Sequence, residues 1–207
     1  RNDTPAGERF YRSCWDEARY DGRVYGIPTS VDDRALLYNK DLLRQAGLVD
    51  EAGEPKPPRT WEELADYATK LTTYDAAGKL ERVGFAPQFG NSWLYMYGWM
   101  AGGRFMSADG RTCTLNDPKV VDGLRYMVDV YDSVGGYAEV TAFQAGFQGG
   151  ELDPFIQGKI AMKIDGSWQL PFLAAYGRNL DFGVAPPPMP KRELDAGRPH
   201  ISWNGGW

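Results

Sequence analysis

Apolar positions along the chain change their period several times, and each change marks a predicted element. Residues 25–31 (YGIPTSV) are a β-rich run in which Pro28 favours an edge or crossover position. Residues 35–38 (ALLY) continue as a short apolar strand. Asn39 stands as an N-cap before a helix over 40–46, and Gly47 suits the left-handed position that closes it. After a polar, Pro-rich loop over 51–58, Thr60 and Glu63 read as a capping box: each side chain accepts from the other's backbone N–H. Leu64, Ala68 and Leu71 follow at helical spacing, with Glu62, Asp66 and Lys70 toward water. Residues 83–86 (VGFA) read as a buried strand. Residues 91–101 (NSWLYMYGWMA) predict an aromatic helix, with Ser92 as a sufficient N-cap and Gly102 and Gly103 closing it.

The second half continues the alternation. A hairpin is expected over 104–115 around Asp109 and Gly110, a dipeptide suited to a tight primed turn. Asn116, Asp117 and Pro118 open another helix, with Val121, Leu124, Val128 and Tyr131 as its apolar face. Beyond a Gly-rich loop come a short helix over 153–157, a strand over 159–164, a turn at 165–167, a helix over 168–176 and a strand over 180–184. Prolines at 186, 187, 188 and 190 form a stiff connector. Interleaved strands and helices predict an α/β fold with a mainly parallel sheet.

Composition narrows the function classes. The 207 residues carry a net charge of −5 with no basic block, so a phosphate backbone is an unexpected partner and no nucleic acid is implied. No run approaches the roughly 20 apolar residues of a membrane-spanning helix. Two Cys, Cys14 and Cys113, and one His, His200, are too few for a zinc centre, so neither metal nor cofactor is expected. A disulfide between the two thiols stays open. The chain starts at Arg1 and ends at Trp207, and both ends read as cuts in a longer protein.

Nucleophilic catalysis lacks its parts: there is no GxSxG elbow, and His200 lies in a Pro- and Gly-rich tail. Phosphate-binding glycine loops are absent as well. Paired carboxylates for glycoside chemistry remain conceivable, because Asp32, Asp33, Glu151 and Asp165 sit near element ends. The most specific feature is 164–168 (IDGSW), where a strand ends and a helix begins. Asp165, Ser167 and free N–H groups converge there, at the end of the strand where open α/β sheets bind ligands. Trp168 beside such a crevice either presents a flat face to a sugar ring or caps the core. Asn91, Ser92 and Trp93 form a second cluster, although Trp93, Tyr97 and Met100 also fit ordinary core spacing. Asp32 and Asp33 are either surface charges or an acceptor for sugar hydroxyls.

Several runs, taken in order, resemble one family: 25–28 (YGIP), Asp32, 38–43 (YNKDLL), 46–48 (AGL), 58–64 (PRTWEEL), 155–162 (FIQGKIAM), 165–168 (DGSW) and 181–186 (DFGVAP). They are similar to the extracellular solute-binding proteins of carbohydrate ABC transporters, maltose- and oligosaccharide-binding proteins among them. The resemblance implies a periplasmic-binding-protein-like fold of two α/β lobes closing on a ligand, present here mostly as the second lobe plus hinge segments. Residues 1–30 would then be the end of the first lobe and the crossover, 31–188 the second lobe, and 189–207 a return segment. It further implies a sugar or oligosaccharide ligand, an ABC permease as partner, a monomer, and a periplasmic or lipoprotein-anchored location. Carried over by position, Trp168 stacks on a sugar ring, Asp32 accepts hydroxyls, and Asn91, Ser92 and Trp93 face the ligand. Asp165, Gly205 and Gly206 lie in ligand-proximal loops. The alternative is a glycoside-active enzyme or carbohydrate-binding module built on Asp165 and Asp32. A third reading is a receptor of the same fold for a non-sugar solute.

Overall fold

A computed structural model of the chain describes residues 6–202 and 204–206, with side chains for 7–202. A short helix α1 (Arg12–Glu17) precedes a two-residue hairpin, β1 (Arg19–Tyr20) and β2 (Arg23–Val24), whose turn takes Asp21 and Gly22 through positive φ. Residues 25–30 form no strand. The predicted run begins as β-structure only at its last residue, because β3 (Val31–Asn39) is one nine-residue strand that also absorbs 35–38. The Asn39 side chain caps α2 (Lys40–Gln45) by accepting from Leu42 N at 3.0 Å, and Gly47 follows at φ 69°. Both halves of the Thr60–Glu63 capping box form at the head of α3 (Trp61–Leu71), which buries Leu64, Ala68 and Leu71 as expected. A small hairpin of β4 (Thr73–Tyr74) and β5 (Leu80–Arg82) leads into α4 (Leu94–Met100), α5 (Pro118–Ser133) and α6 (Tyr137–Gln144). The chain returns through β6 (Met162–Gly166), α7 (Gln169–Tyr176), β7 (Phe182–Ala185), α8 (Lys191–Asp195) and β8 (Asn204–Gly206).

The sheet corrects one expectation. Its order is β6-β3-β7, with β8 on the first residues of β3, and every pairing of β3 is antiparallel. Among the described residues parallel contact survives only as isolated bridges, Val83 with Ile160 and Thr60 with Met189. The predicted strand at 83–86 is thus an extended segment running beside β6, tied to it by Met162 N to Gly84 O at 2.9 Å and Asn91 N to Ile164 O at 2.8 Å. Alternating elements imply a parallel sheet only when each helix carries the chain straight back to the next strand. Here five α-helices intervene between β3 and β6, and strand order no longer dictates direction.

Several local readings shift for identifiable reasons. On α5 the buried residues are Val120, Gly123, Met127, Val130 and Tyr131, while Val121, Leu124 and Val128 are exposed. A glycine makes the difference: α5 packs on α4 through Gly123, where a Cβ would lie 2.8 Å from the Tyr97 carbonyl carbon. A helix contact made through a missing side chain leaves no mark in hydrophobic periodicity. The 104–115 hairpin holds by a Met106–Cys113 bridge, but only Gly110 has positive φ, so the turn is not of the primed type. Residues 153–157 form a turn closed by the Asp153 carboxylate, which accepts from Phe155 N and Ile156 N. The strand expected over 159–164 runs instead from 162 to 166, taking Asp165 and Gly166 out of the turn. Among the described residues Cys14 and Cys113 are both free thiols, the first buried and the second exposed.

Candidate sugar-binding face at the end of the sheet

The first half of β3 alternates strictly, and it alternates inward with charge. Asp32 is 0% and Arg34 5% exposed, on the same face of the strand. Arg34 Nε donates to Asp32 Oδ2 at 2.6 Å, and Nη1 donates to the Asn91 carbonyl. The Tyr95 hydroxyl is a further hydrogen-bond partner, and the guanidinium lies 5.1 Å from the centroid of the Trp168 ring. Burial pulls the Arg34 pKa down, but the bonds to Asp32 and Tyr95 outweigh it and hold the group above its ordinary value. Asp32 is therefore no surface charge. Its Oδ1 is buried without a hydrogen-bond partner among the described residues.

Trp168 opens α7 immediately after the β6 strand end and is half-buried. The benzenoid part of its indole covers Gly166, so closely that a Cβ at that position would overlap the ring. Gly166 is the cross-strand partner of Arg34, which puts the indole, the guanidinium and Asp32 on one face. Asp165 pairs instead with Ala35, and so points to the opposite face. There it meets Lys163 at 3.0 Å, which also reaches Asp153 at 3.2 Å. Asp32 and Asp165 accordingly do not flank a common bond. The paired-carboxylate alternative loses its geometry, since each acid is committed to a different cation on a different side of the sheet.

The Asn91–Trp93 cluster divides. Asn91 gives its carbonyl to Arg34, and its Oδ1 accepts from Trp93 Nε1 at 2.6 Å. Trp93 is 48% exposed while Tyr97 and Met100 are buried, so it leaves the core spacing and shows its face to solvent. Ser92 turns inward. It is buried, donates to the Pro87 carbonyl and meets the Tyr97 hydroxyl at 3.0 Å, whose pKa burial drives well above the usual phenol value. Trp93 occupies the N-cap position and no side chain caps α4, so Ser92 is neither a cap nor part of the exposed site. The backbones of Gly205 and Gly206 pair with Asp32 and Val31, which places this strand beside the acid. Arg34, Tyr95 and Gly166 were not among the expected residues. The available signal was the Asp-x-Arg spacing within one strand, which places both charges on one face.

Known proteins of similar sequence and fold point to one family. Residues 9–207 match the family model described as bacterial extracellular solute-binding protein. A binding protein of Brucella abortus (strain 2308) is 28% identical over 181 residues, covering 86% of this chain and 41% of the relative. The sn-glycerol-3-phosphate-binding periplasmic protein of Escherichia coli (strain K12) is 29% identical over 183 residues, 84% of this chain and 38% of that one. Among solved structures, CpMnBP1 with mannotriose bound superposes with a TM-score of 0.82 at 31% identity, covering 99% of this chain and 50% of that one. The mannobiose-bound form gives 0.81 at 32% identity, covering 98% and 48%. The chain thus spans half or less of the length of these relatives. With a family model matched across nearly its whole length, the chain belongs to the bacterial extracellular solute-binding proteins.

Proposed function

We propose that this chain forms most of one lobe of a non-enzymatic receptor that binds a neutral oligosaccharide and delivers it to an ABC transporter permease. Residues 31–188 would be the second lobe, with 1–30 and 189–207 as segments toward the first, on a protein held in the periplasm or anchored outside as a lipoprotein. The observation that carries the reading is the Asp32 Oδ1 atom, a buried acceptor without a hydrogen-bond partner among the described residues, on a carboxylate whose other oxygen holds the guanidinium lying over the Trp168 indole. An unpaired buried acceptor costs about 1–3 kcal/mol, which a ligand hydroxyl would recover. Two indoles, Trp168 and the half-exposed Trp93, suit the C–H faces of pyranose rings. The mannobiose and mannotriose held by CpMnBP1, and the maltotriose named for a Pyrococcus abyssi relative at 23% identity, support the ligand class. Closure of the lobes would follow from tighter binding to the closed form, which shifts the population toward it.

The test is a tryptophan-fluorescence titration of the intact protein against a panel of oligosaccharides, with Trp168→Ala in parallel. A saturable change with one saccharide class, weakened on the order of tenfold or more in the variant, is expected. A folded protein that responds to no saccharide overturns the reading.

A further inference from the structure

Between α3 and α5 lies a groove of about 400 Å³ that shares no residue with the face built on Asp32 and Trp168. Its floor is the Trp61 indole stacked on the Tyr126 phenol, with centroids 4.2 Å apart and planes 12° from parallel. The Tyr126 hydroxyl donates to the Trp61 carbonyl at 3.1 Å, which ties the pair together across the two helices. The helical rise from Trp61 to Thr69 makes the groove about 12 Å long, the reach of about four residues of extended chain. We infer that this groove docks an arginine-bearing segment of a partner protein.

The hydrogen-bonding sense of the groove selects the occupant. All three hydroxyls on its lining spend their proton on the protein: Tyr126 on the Trp61 carbonyl, Thr69 on Ala65 O at 3.2 Å and Ser133 on Val130 O at 2.8 Å. To a ligand they offer lone pairs only. Three exposed carboxylates stand with them, Glu62 and Asp66 on α3 and Asp129 on α5. Asp66 is paired with Lys70 at 2.7 Å, whereas Glu62 and Asp129 form no ion pair among the described residues. The neighbouring cations are taken. Lys191 feels the Glu62 charge but bonds Asp195 at 2.6 Å, and Arg125 and Arg192 both hold Asp122. Acceptors and negative charge over an aromatic floor fit a guanidinium, which has five N–H donors, no acceptor and a planar face for stacking. The Trp61 indole N–H, the one side-chain N–H on the lining, has no hydrogen-bond partner among the described residues and suits a main-chain carbonyl. Donors from a side chain and an acceptor from a backbone together describe a peptide rather than a free cation.

The experiment titrates the intact protein with capped pentapeptides that differ only in the central residue: arginine, lysine, citrulline or glutamate. Binding is followed by backbone amide chemical shifts. Expected is saturable binding of the arginine peptide, with shifts centred on α3 and α5. The citrulline peptide, which keeps the shape and loses the charge, should bind roughly tenfold more weakly, with the lysine peptide between the two. In Glu62→Gln/Asp129→Asn the arginine peptide should lose about tenfold as well, and an unchanged melting curve verifies that the variant folds. Thr69→Leu, at an exposed position, narrows the groove without altering its charge and should weaken the same peptide. Binding that ignores the central residue, an undiminished affinity in the double variant, or no saturable binding at all overturns the docking groove. So does displacement of the arginine peptide by guanidinium chloride mole for mole, which would make the groove a site for a small cation. None of these outcomes bears on saccharide binding, which uses other residues.

Discussion

The two halves of β3 both pair with β6 but obey different chemistry. From Leu36 to Asn39 every residue is buried, three of the four are apolar, and the strand is ordinary core between β6 and β7. From Val31 to Ala35 the strand alternates, and its two fully inward side chains are an aspartate and an arginine. Burying that pair is not a route to stability, because desolvation of two charges roughly cancels their attraction. A strand that spends burial on charge at one end and on leucine at the other is stable at one end and chemically equipped at the other. Around the charged end the chain gathers an indole, a carbonyl and a phenol on one guanidinium.

The comparison breaks most visibly at Arg34. Arg34→Met leaves Asp32 buried and uncompensated, and a loss of about 3–5 kcal/mol in denaturant unfolding is expected. Replacing both residues, Asp32→Leu with Arg34→Met, should recover most of that stability while abolishing saccharide binding. Should the single variant unfold at the wild-type denaturant concentration, the pair does not seal the front of the sheet. Leu36→Ala, two residues on, is expected to cost about 2–4 kcal/mol through its cavity. Binding affinity measured on the folded variant should stay within about twofold, a change of less than 0.5 kcal/mol. An equal loss of affinity in both variants would show that the halves are not separate.

A smaller stability effect with a large binding effect is expected at Gly166. Adding one methyl group there drives the Trp168 indole off the strand, at roughly 1–3 kcal/mol of overpacking. Gly166→Ala should therefore mimic Trp168→Ala in a saccharide titration, although the indole itself remains. Retained affinity in Gly166→Ala would mean that the ring position over the strand is immaterial to the ligand.

What could be read from sequence follows the range of the interaction. Caps are local, so the Asn39 cap, the Thr60–Glu63 box and Asp117 before Pro118 were legible and form as expected. The DGSW strand end was legible too, and Asp32, Asn91 and Trp168 do gather about one point. Register was not legible, and a single residue of it decides that Asp165 faces away from Trp168 while Gly166 lies beneath it. Nor was Arg34, because a charge in a β-run reads as solvent-facing until a partner from 57 residues away closes over it. The buried side of α5 escaped for the reason that Gly123 contributes no hydrophobic signal to a period.

The weakest expected effect lies with the ion pairs on the outside of the same sheet. Asp181, just before β7, meets Arg44 at 2.8 Å and Lys40 at 3.3 Å, all partly exposed. The Arg44 hydrogen bond holds the Asp181 carboxyl below its usual pKa, against a smaller opposing effect of desolvation. A carboxylate with a depressed folded-state pKa stabilises the protein above its unfolded value of about 3.9, and that contribution fades as pH falls through the folded value. Asp181→Asn should therefore lower the melting temperature slightly at pH 7 and not at all near pH 2. At 1 M salt, where the Debye length is about 3 Å, the difference at pH 7 should shrink as well. The Arg34 variant should show neither dependence on salt, because its pair is closed off from the ions that screen Arg44. If salt erased both effects alike, the Asp32–Arg34 pair would be exchanging with solvent, and the inward charge of β3 would have no more consequence than the outward one.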